Sequence, residues 1–291
     1  MDKVKSEKIE RKGTLLEKGG SISYDFKSSY LFIFIIFVAL LLSFATYKRN
    51  TTWRDEERLW KDAVKKSPGN ARGYNNLGTA YDEQNQPNKA FKAYMTALRL
   101  NPDFPQLHYN LGLFYHEQGK PYRAIEEYRI ALQLKPDYAK AHNNLGDIYY
   151  NQGQIEEARK EFISALMLKP DYPEAHNNLG SVYYNQGQIE EARKQFISAL
   201  RLKPDYPNVH NNLGIVYANQ GQMDEAIKEF LTALKLGLNN ADIHYNLGNA
   251  YKRQGLNEEA IREFELALKL RPDFSPARQA LEPLRREFQT P

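Results

Sequence analysis

The chain has 291 residues, no cysteine and a formal charge of +4 from 40 basic and 36 acidic side chains. Without thiols it forms no disulfides and no thiolate metal sites. Acidic and basic residues alternate along the chain instead of forming blocks, which excludes a nucleic-acid stripe and leaves solvated, salt-bridged faces.

Residues 1–29 are polar and are expected to lack a packed core of their own. Leu31 to Ala45 is apolar at every position except Ser43, with Tyr30 and Tyr47 at its edges. A bilayer is crossed by about 17–25 apolar residues, so 30–47 is the expected transmembrane helix and the membrane an expected partner. A cleaved signal peptide is the rival, because Ser43-Phe44-Ala45 carries small residues at cleavage spacing; the long leader and Lys48-Arg49 stand against it. Residues 10–29 hold four Lys or Arg and 48–67 hold seven, which by the positive-inside rule favours a cytoplasmic location for the chain beyond residue 47. In 48–70, Thr52 and Asp55 form a capping box ahead of Trp53, Leu59, Trp60, Ala63 and Val64, so a juxtamembrane helix is expected.

From residue 71 onward one spacing governs the chain. Asn-Leu-Gly recurs every 34 residues, at Asn76, Asn110, Asn144, Asn178, Asn212 and Asn246. With the Asn at position 6, units begin at Ala71, Pro105, Ala139, Pro173, Pro207 and Ala241. Position 11 is always Tyr, positions 20 and 27 always Ala, and position 24 Tyr or Phe. Proline closes every unit at position 32 except the fifth, which has Leu238. Positions 4, 7, 8 and 11 form one helical stripe and 20, 24 and 27 a second, with turn residues between. Each unit is thus a helical hairpin, ended by a proline that cannot continue the hydrogen-bond ladder. Carried backwards, the register puts Trp60, Ala63 and Pro68 at positions 24, 27 and 32, making 53–67 the second helix of a half-unit joined to the membrane helix without a flexible linker.

This pattern resembles the tetratricopeptide repeat (TPR). The resemblance implies an all-α, right-handed α-solenoid of six TPR hairpins (71–104, 105–138, 139–172, 173–206, 207–240 and 241–274). A capping helix over 275–291 comes after them, with apolar Leu281, Leu284 and Phe288 and a kink at Pro283. The repeats are most similar to those of O-linked N-acetylglucosamine transferases, in which an asparagine row grips peptide backbone. Arg49–Arg72 is similar to the junction of transmembrane and TPR-containing O-mannosyltransferases, which implies an extracytoplasmic repeat domain, opposite to the charge count. It also raises an alternative reading as an accessory part of such a glycosyltransferase system.

Positions 2, 6, 9 and 13 share the helix face opposite the core stripe. The family places first helices on the concave side, so this face becomes a groove with an asparagine on every step. An amide donates and accepts at once, so such a row can hold extended peptide backbone with little regard for sequence. The candidate peptide-binding residues are Asn76, Asn110, Asn144, Asn178, Asn212 and Asn246, with Asn151, Asn185 and Asn219 at position 13 and Tyr150 and Tyr184 at position 12. The competing reading is that these amides bond neighbouring groups or water and recur through duplication. The face also changes sign, from Glu83 and Glu117 at one end to Lys252 and Arg253 at the other.

His108, His142, His176, His210 and His244 all fall at position 4, a whole repeat apart, too distant to share a metal. No phosphate loop, nucleophile elbow or metal spacing appears. The expectation is a membrane-anchored, non-catalytic scaffold that binds a protein or peptide partner, with no nucleic acid and no small-molecule cofactor.

Overall fold

The computed structural model describes residues 34–43 and 56–289. The chain divides into two compact units, residues 1–62 and 63–291. In the first, residues 34–43 lie in helix α1, whose Phe34, Leu40 and Leu42 are each 63% exposed. No helix among the described residues is long and apolar enough to cross a membrane, so the transmembrane helix expected over 30–47 gains no support here. The ends of that span, the leader 1–29 and the capping box at Thr52 lie outside the described residues. Helix α2 (Glu56–Lys66) lies within the stretch 53–67 expected to be helical and buries none of its residues completely.

The second unit holds twelve helices in six hairpins, and a single helix after them. The first helices are α3 (Ala71–Glu83), α5 (Pro105–Glu117), α7 (Ala139–Asn151), α9 (Pro173–Asn185), α11 (Pro207–Asn219) and α13 (Ala241–Arg253). Their partners are α4 (Pro87–Leu100), α6 (Pro121–Leu134), α8 (Ile155–Leu168), α10 (Ile189–Leu202), α12 (Met223–Lys235) and α14 (Asn257–Leu270). The chain is thus an all-α repeat solenoid.

Local chemistry explains the boundaries. Pro opens α4, α5, α6, α9 and α11, where its missing N–H costs nothing. Asn70 and Asn240 cap α3 and α13 by accepting from Gly73 N and Ile243 N. At the far ends, Asn101, Lys135, Lys169, Lys203 and Arg271 precede a proline and leave the helical region, with φ between −149° and −139°. The fifth unit has no proline and stops differently. Gly237 takes φ 96°, Leu238 N bonds Ala233 O, and Gly237 N bonds Leu234 O. That is a Schellman ending, carried by the glycine one residue before the missing proline.

Within each hairpin the aromatic ring of the second helix lies flat on the glycine of the first. A Cβ on Gly112 would sit 2.5 Å from the Tyr128 ring, and one on Gly180 2.7 Å from Phe196. The rings at position 24 are 0–2% exposed, so this contact forms the centre of every hairpin. Between units, positions 3 and 10 fill the joint, with Ala141, Ile148, Val182 and Val209 all buried. Helix α15 (Ser275–Gln289) closes the array, laying Ala277, Leu281 and Leu284 against Phe264 and Ala267, with Pro283 inside the helix. The Phe288 side chain lies outside the described residues.

Candidate functional site

First helices touch each other from unit to unit: α3 with α5, α7 with α9, α9 with α11, and α11 with α13. No comparable contact joins successive second helices among the described residues. The second unit therefore curves with its first helices on the inner side, and positions 6, 9 and 13 face along that side.

The position-6 asparagines are half-buried there, and they bond to one another through a second asparagine at position 5. Asn212 Nδ2 donates to Asn177 Oδ1 at 3.1 Å, Asn177 to Asn178 at 3.2 Å, and Asn178 to Asn143 at 3.2 Å. Asn143 continues to Asn144 at 3.2 Å, and Asn144 ends the run on the Tyr109 hydroxyl at 3.2 Å. Shorter pieces join Asn246 to Asn211, and Asn110 to Asn75 and on to Asn76. The bonds between units span 35 residues, from position 6 back to position 5 of the unit before, and Asn110 adds one to Thr79, 31 residues away. Five amides in series polarise one another and fix the registry of neighbouring hairpins. The doubling is written in the sequence as Asn-Asn-Leu-Gly, yet the 34-residue motif marks only its second member as a site residue.

At Asn144 and Asn178 this use is only half of the amide's capacity. An asparagine side chain offers two N–H bonds and two lone pairs. In the ladder, Asn144 and Asn178 each give one N–H and accept one bond, whereas Asn110 Nδ2 donates to both Asn75 and Thr79. At Asn144 and Asn178 one donor and one acceptor remain unengaged.

A parallel line of staples runs along positions 12 and 13. Asn185 Nδ2 donates to the Tyr150 hydroxyl at 2.8 Å, and Asn219 to Tyr184 at 2.7 Å. Arg253 Nη1 repeats the geometry onto the Ala218 carbonyl at 2.5 Å. Asn151 instead bonds Asp147 within its own helix. The three asparagines are exposed, while Tyr150 and Tyr184 are half-buried.

The inner side carries opposite charges at its two ends. Near the start, Thr79, Asp82, Glu83, Tyr94, Asn110 and Glu117 line a hollow of about 190 Å³. Burial, with Glu117 and Glu83 close by, pushes the Asp82 carboxyl up to about 6. Burial also raises Asp147, against the opposing influence of His116. Near the end, Asn219, Asn246, Asn249, Lys252 and Arg253 line a hollow of about 540 Å³ that holds no carboxylate. A larger hollow of about 600 Å³ on α3 and α4, walled by Tyr74, Tyr81, Phe91 and Met95, has neither amide nor carboxylate in its lining.

The histidines at position 4 are clasps. His142 Nδ1 meets Glu161 at 2.6 Å and its Nε2 meets the Pro136 carbonyl, which closes the preceding unit, at 3.1 Å. His108 does the same with Glu127 and Pro102, and His210 with Glu229 and Pro204. His176 faces Gln195 and Pro170, and His244 faces Glu263 and, lacking the proline, Asn239. A ring between a carboxylate and a carbonyl satisfies both only as imidazolium. The Glu161 hydrogen bond accordingly raises the His142 pKa above its ordinary value despite burial. At His108 burial pulls downward, but the bonds to Glu127 and Pro102 outweigh it and the net shift is upward. Among the described residues no three His, Asp or Glu side chains gather as a metal site.

The geometry is matched by comparison with known proteins. Models described as "TPR repeat" and "Tetratricopeptide repeat" match residues 80–119 and 59–92. A third, described as "Cilia and flagella-associated protein 70 C-terminal domain", matches residues 104–288. Among solved structures, that of the APC/C hetero-tetramer Cut9-Hcn1 is similar with a TM-score of 0.69 and 23% identity over 78% of this chain. The chain spans 45% of that chain's length. Pseudomonas aeruginosa pilF gives 0.66 and 23% over 75% of this chain and 97% of its own. YrrB, described as "a TPR protein with an unusual peptide-binding site", gives 0.54 and 25% over 65% of this chain and 97% of its own. No curated protein matches by sequence. These likenesses establish tetratricopeptide repeats without singling out the N-acetylglucosamine transferases or the O-mannosyltransferases. With well over half of its residues matched by one model, the chain belongs to the TPR family described as the cilia and flagella-associated protein 70 C-terminal domain.

Proposed function

We propose that the chain is a non-catalytic TPR scaffold that holds an extended peptide or a segment of a partner protein along its inner side. The observation that carries this reading is the half-used amide row. Asn144, Asn178 and Asn212 each keep an N–H and a lone pair at a position already oriented by its neighbours. Extended backbone presents alternating donors and acceptors, so such a row grips it with little dependence on side chains. Asn185 and Asn219, with Tyr150 and Tyr184, border the same strip and add contact area. YrrB, similar at 25% identity, is described as having an unusual peptide-binding site, which supports the same use of this fold.

The reading includes a membrane tether through residues 30–47, motivated by the apolar run broken only by Ser43 between Leu31 and Ala45 and by the exposed Phe34, Leu40 and Leu42 of α1. Resistance of the full chain to alkaline carbonate extraction tests the tether; release into the soluble fraction overturns it.

The groove is tested by crosslinked capture from native membranes, comparing wild type with an Asn144→Ala, Asn178→Ala, Asn212→Ala triple variant of matched helicity. Loss of one set of partners assigns the row as the binding site. Identical captures leave the asparagines as inter-unit staples alone.

A further inference from the structure

The inner side has a direction as well as a width, and this inference rests on the peptide-binding reading above. At its start, Asp82, Glu83 and Glu117 meet around one hollow and none closes an ion pair with a basic side chain among the described residues. Burial first, and then the neighbouring Glu117 and Glu83 charges, raise the Asp82 carboxyl. One unit on, the Tyr128 ring passes over Gly112 as Tyr94 passes over Gly78, where the other four units have Phe. The Tyr94 hydroxyl bonds Thr79, and the Tyr128 hydroxyl is enclosed next to the Asn144 amide. It lies within the field of Glu117 and Asp147.

The other end is the reverse. Lys252 and Arg253 border a hollow lined with three amides and no acid, and Arg253 is held outward by the Ala218 carbonyl. First helices packed about 10 Å apart put these two ends about 40 Å from each other, the reach of about twelve extended residues.

We propose that the groove selects an extended peptide of fixed charge polarity, with lysine or arginine seated over Asp82, Glu83 and Glu117 and acidic side chains or a terminal carboxylate at Lys252 and Arg253. The asparagine ladder between them holds backbone and reads no side chain. Affinity comes from the amides, and orientation from the ends.

The test uses the full chain and a labelled peptide of about fourteen residues, built of Gly, Ser and Ala with two lysines at one end and two glutamates at the other. A photo-crosslinker beside the lysines is expected to label α3 and α5, and one beside the glutamates α13. Glu83→Gln with Glu117→Gln, and separately Lys252→Gln, are each expected to weaken binding about two- to fivefold at low salt, as loss of a partly exposed charge pair does. An uncharged Gly/Ser/Ala peptide binds more weakly in the same proportion. Labelling spread over both ends, or variants that bind like wild type, overturn the polarity. If the uncharged peptide binds as well and the Asn144, Asn178 and Asn212 triple variant abolishes it, the polarity fails while the peptide-binding reading stands. If no probe binds, both fail together.

Discussion

Residues 143–176 and 177–210 are two copies of one segment that differ at six positions. Two of the differences, Ile148 against Val182 and Ala175 against Val209, sit in the joints between units and are fully buried in both copies. The frame absorbs them without change. Gly146 lies under Phe162 as Gly180 lies under Phe196, and Asn144 and Asn178 donate through the same 35-residue step. The other four differences change charge. Asp147, Glu161 and Glu174 become Ser181, Gln195 and Asn208, and Met167 becomes Arg201. Three carboxylates lost and one cation gained shift the second copy by four charges. Duplication kept the geometry and released the electrostatics, which is how a repeat array acquires a direction.

If the frame is common to both copies, damage to it should cost the same in each. Phe162→Ala and Phe196→Ala each remove a ring that is 1–2% exposed, and each should destabilise by about 3–5 kcal/mol. Gly146→Ala and Gly180→Ala drive a Cβ to 2.8 and 2.7 Å from those rings and should cost about 1–3 kcal/mol each. Urea unfolding, read alongside amide protection unit by unit, checks both pairs. A difference between copies well outside error would mean that something other than the shared frame holds one ring.

The histidine clasps should separate the copies. His142 is paired with Glu161, and His176 with neutral Gln195. The folded-state pKa of His142 is raised, so its contribution is complete below the unfolded value near 6.5 and is lost as pH rises through the folded value. Glu161→Gln should therefore flatten the stability profile from about pH 6.5 upward. The change should be about 1 kcal/mol at most, because solvent reaches both side chains. Gln195→Glu should install the same slope in the other copy. Thermal melts across pH 5.5 to 8.5 read this directly, and an unchanged profile in both variants would remove the imidazolium from the clasp.

A smaller effect tests the turns. Gly153 and Gly187 stand at φ 74° and 73°, while the first unit manages the equivalent turn with Asn85 at φ 54°. Gly187→Asn should cost about 0.5–1 kcal/mol, since asparagine tolerates the left-handed region at a modest penalty. Asn85→Gly should recover a similar amount.

The period makes nearly all of this frame legible in the sequence. Position 24 over position 8, the joint residues at 3 and 10, and the proline stops all come from spacing and side-chain size. The stop at Gly237 is not legible in the same way, because its signal is a left-handed glycine where the other units have a proline. The asparagine row lies on the inner side, as its helix face requires. Its bonding escapes the sequence because a hydrogen bond between residues 35 apart depends on how far one hairpin is rotated against the next. That rotation is set by the small residues in the joints, not by the asparagines themselves. The clasps are hidden for the same reason: His108 and its four counterparts read as core residues, and nothing local pairs position 4 with position 23.

The weakest expected effect is at Met167, which is 79% exposed where the other copy has Arg201. An exposed thioether on the outer layer makes little contact, so Met167→Arg should change stability by no more than about 0.5 kcal/mol. It does, however, add a cation to the middle of the array and carry the second copy's charge into the first. If direction is set by the inner side alone, this variant should bind an oriented peptide as wild type does, because position 29 lies on the second helix. If direction reflects the net charge of each unit, the same substitution should weaken a lysine-bearing end as Glu117→Gln does. Measuring both variants against one probe separates a groove that reads charge at its lining from a solenoid that reads it through its overall field.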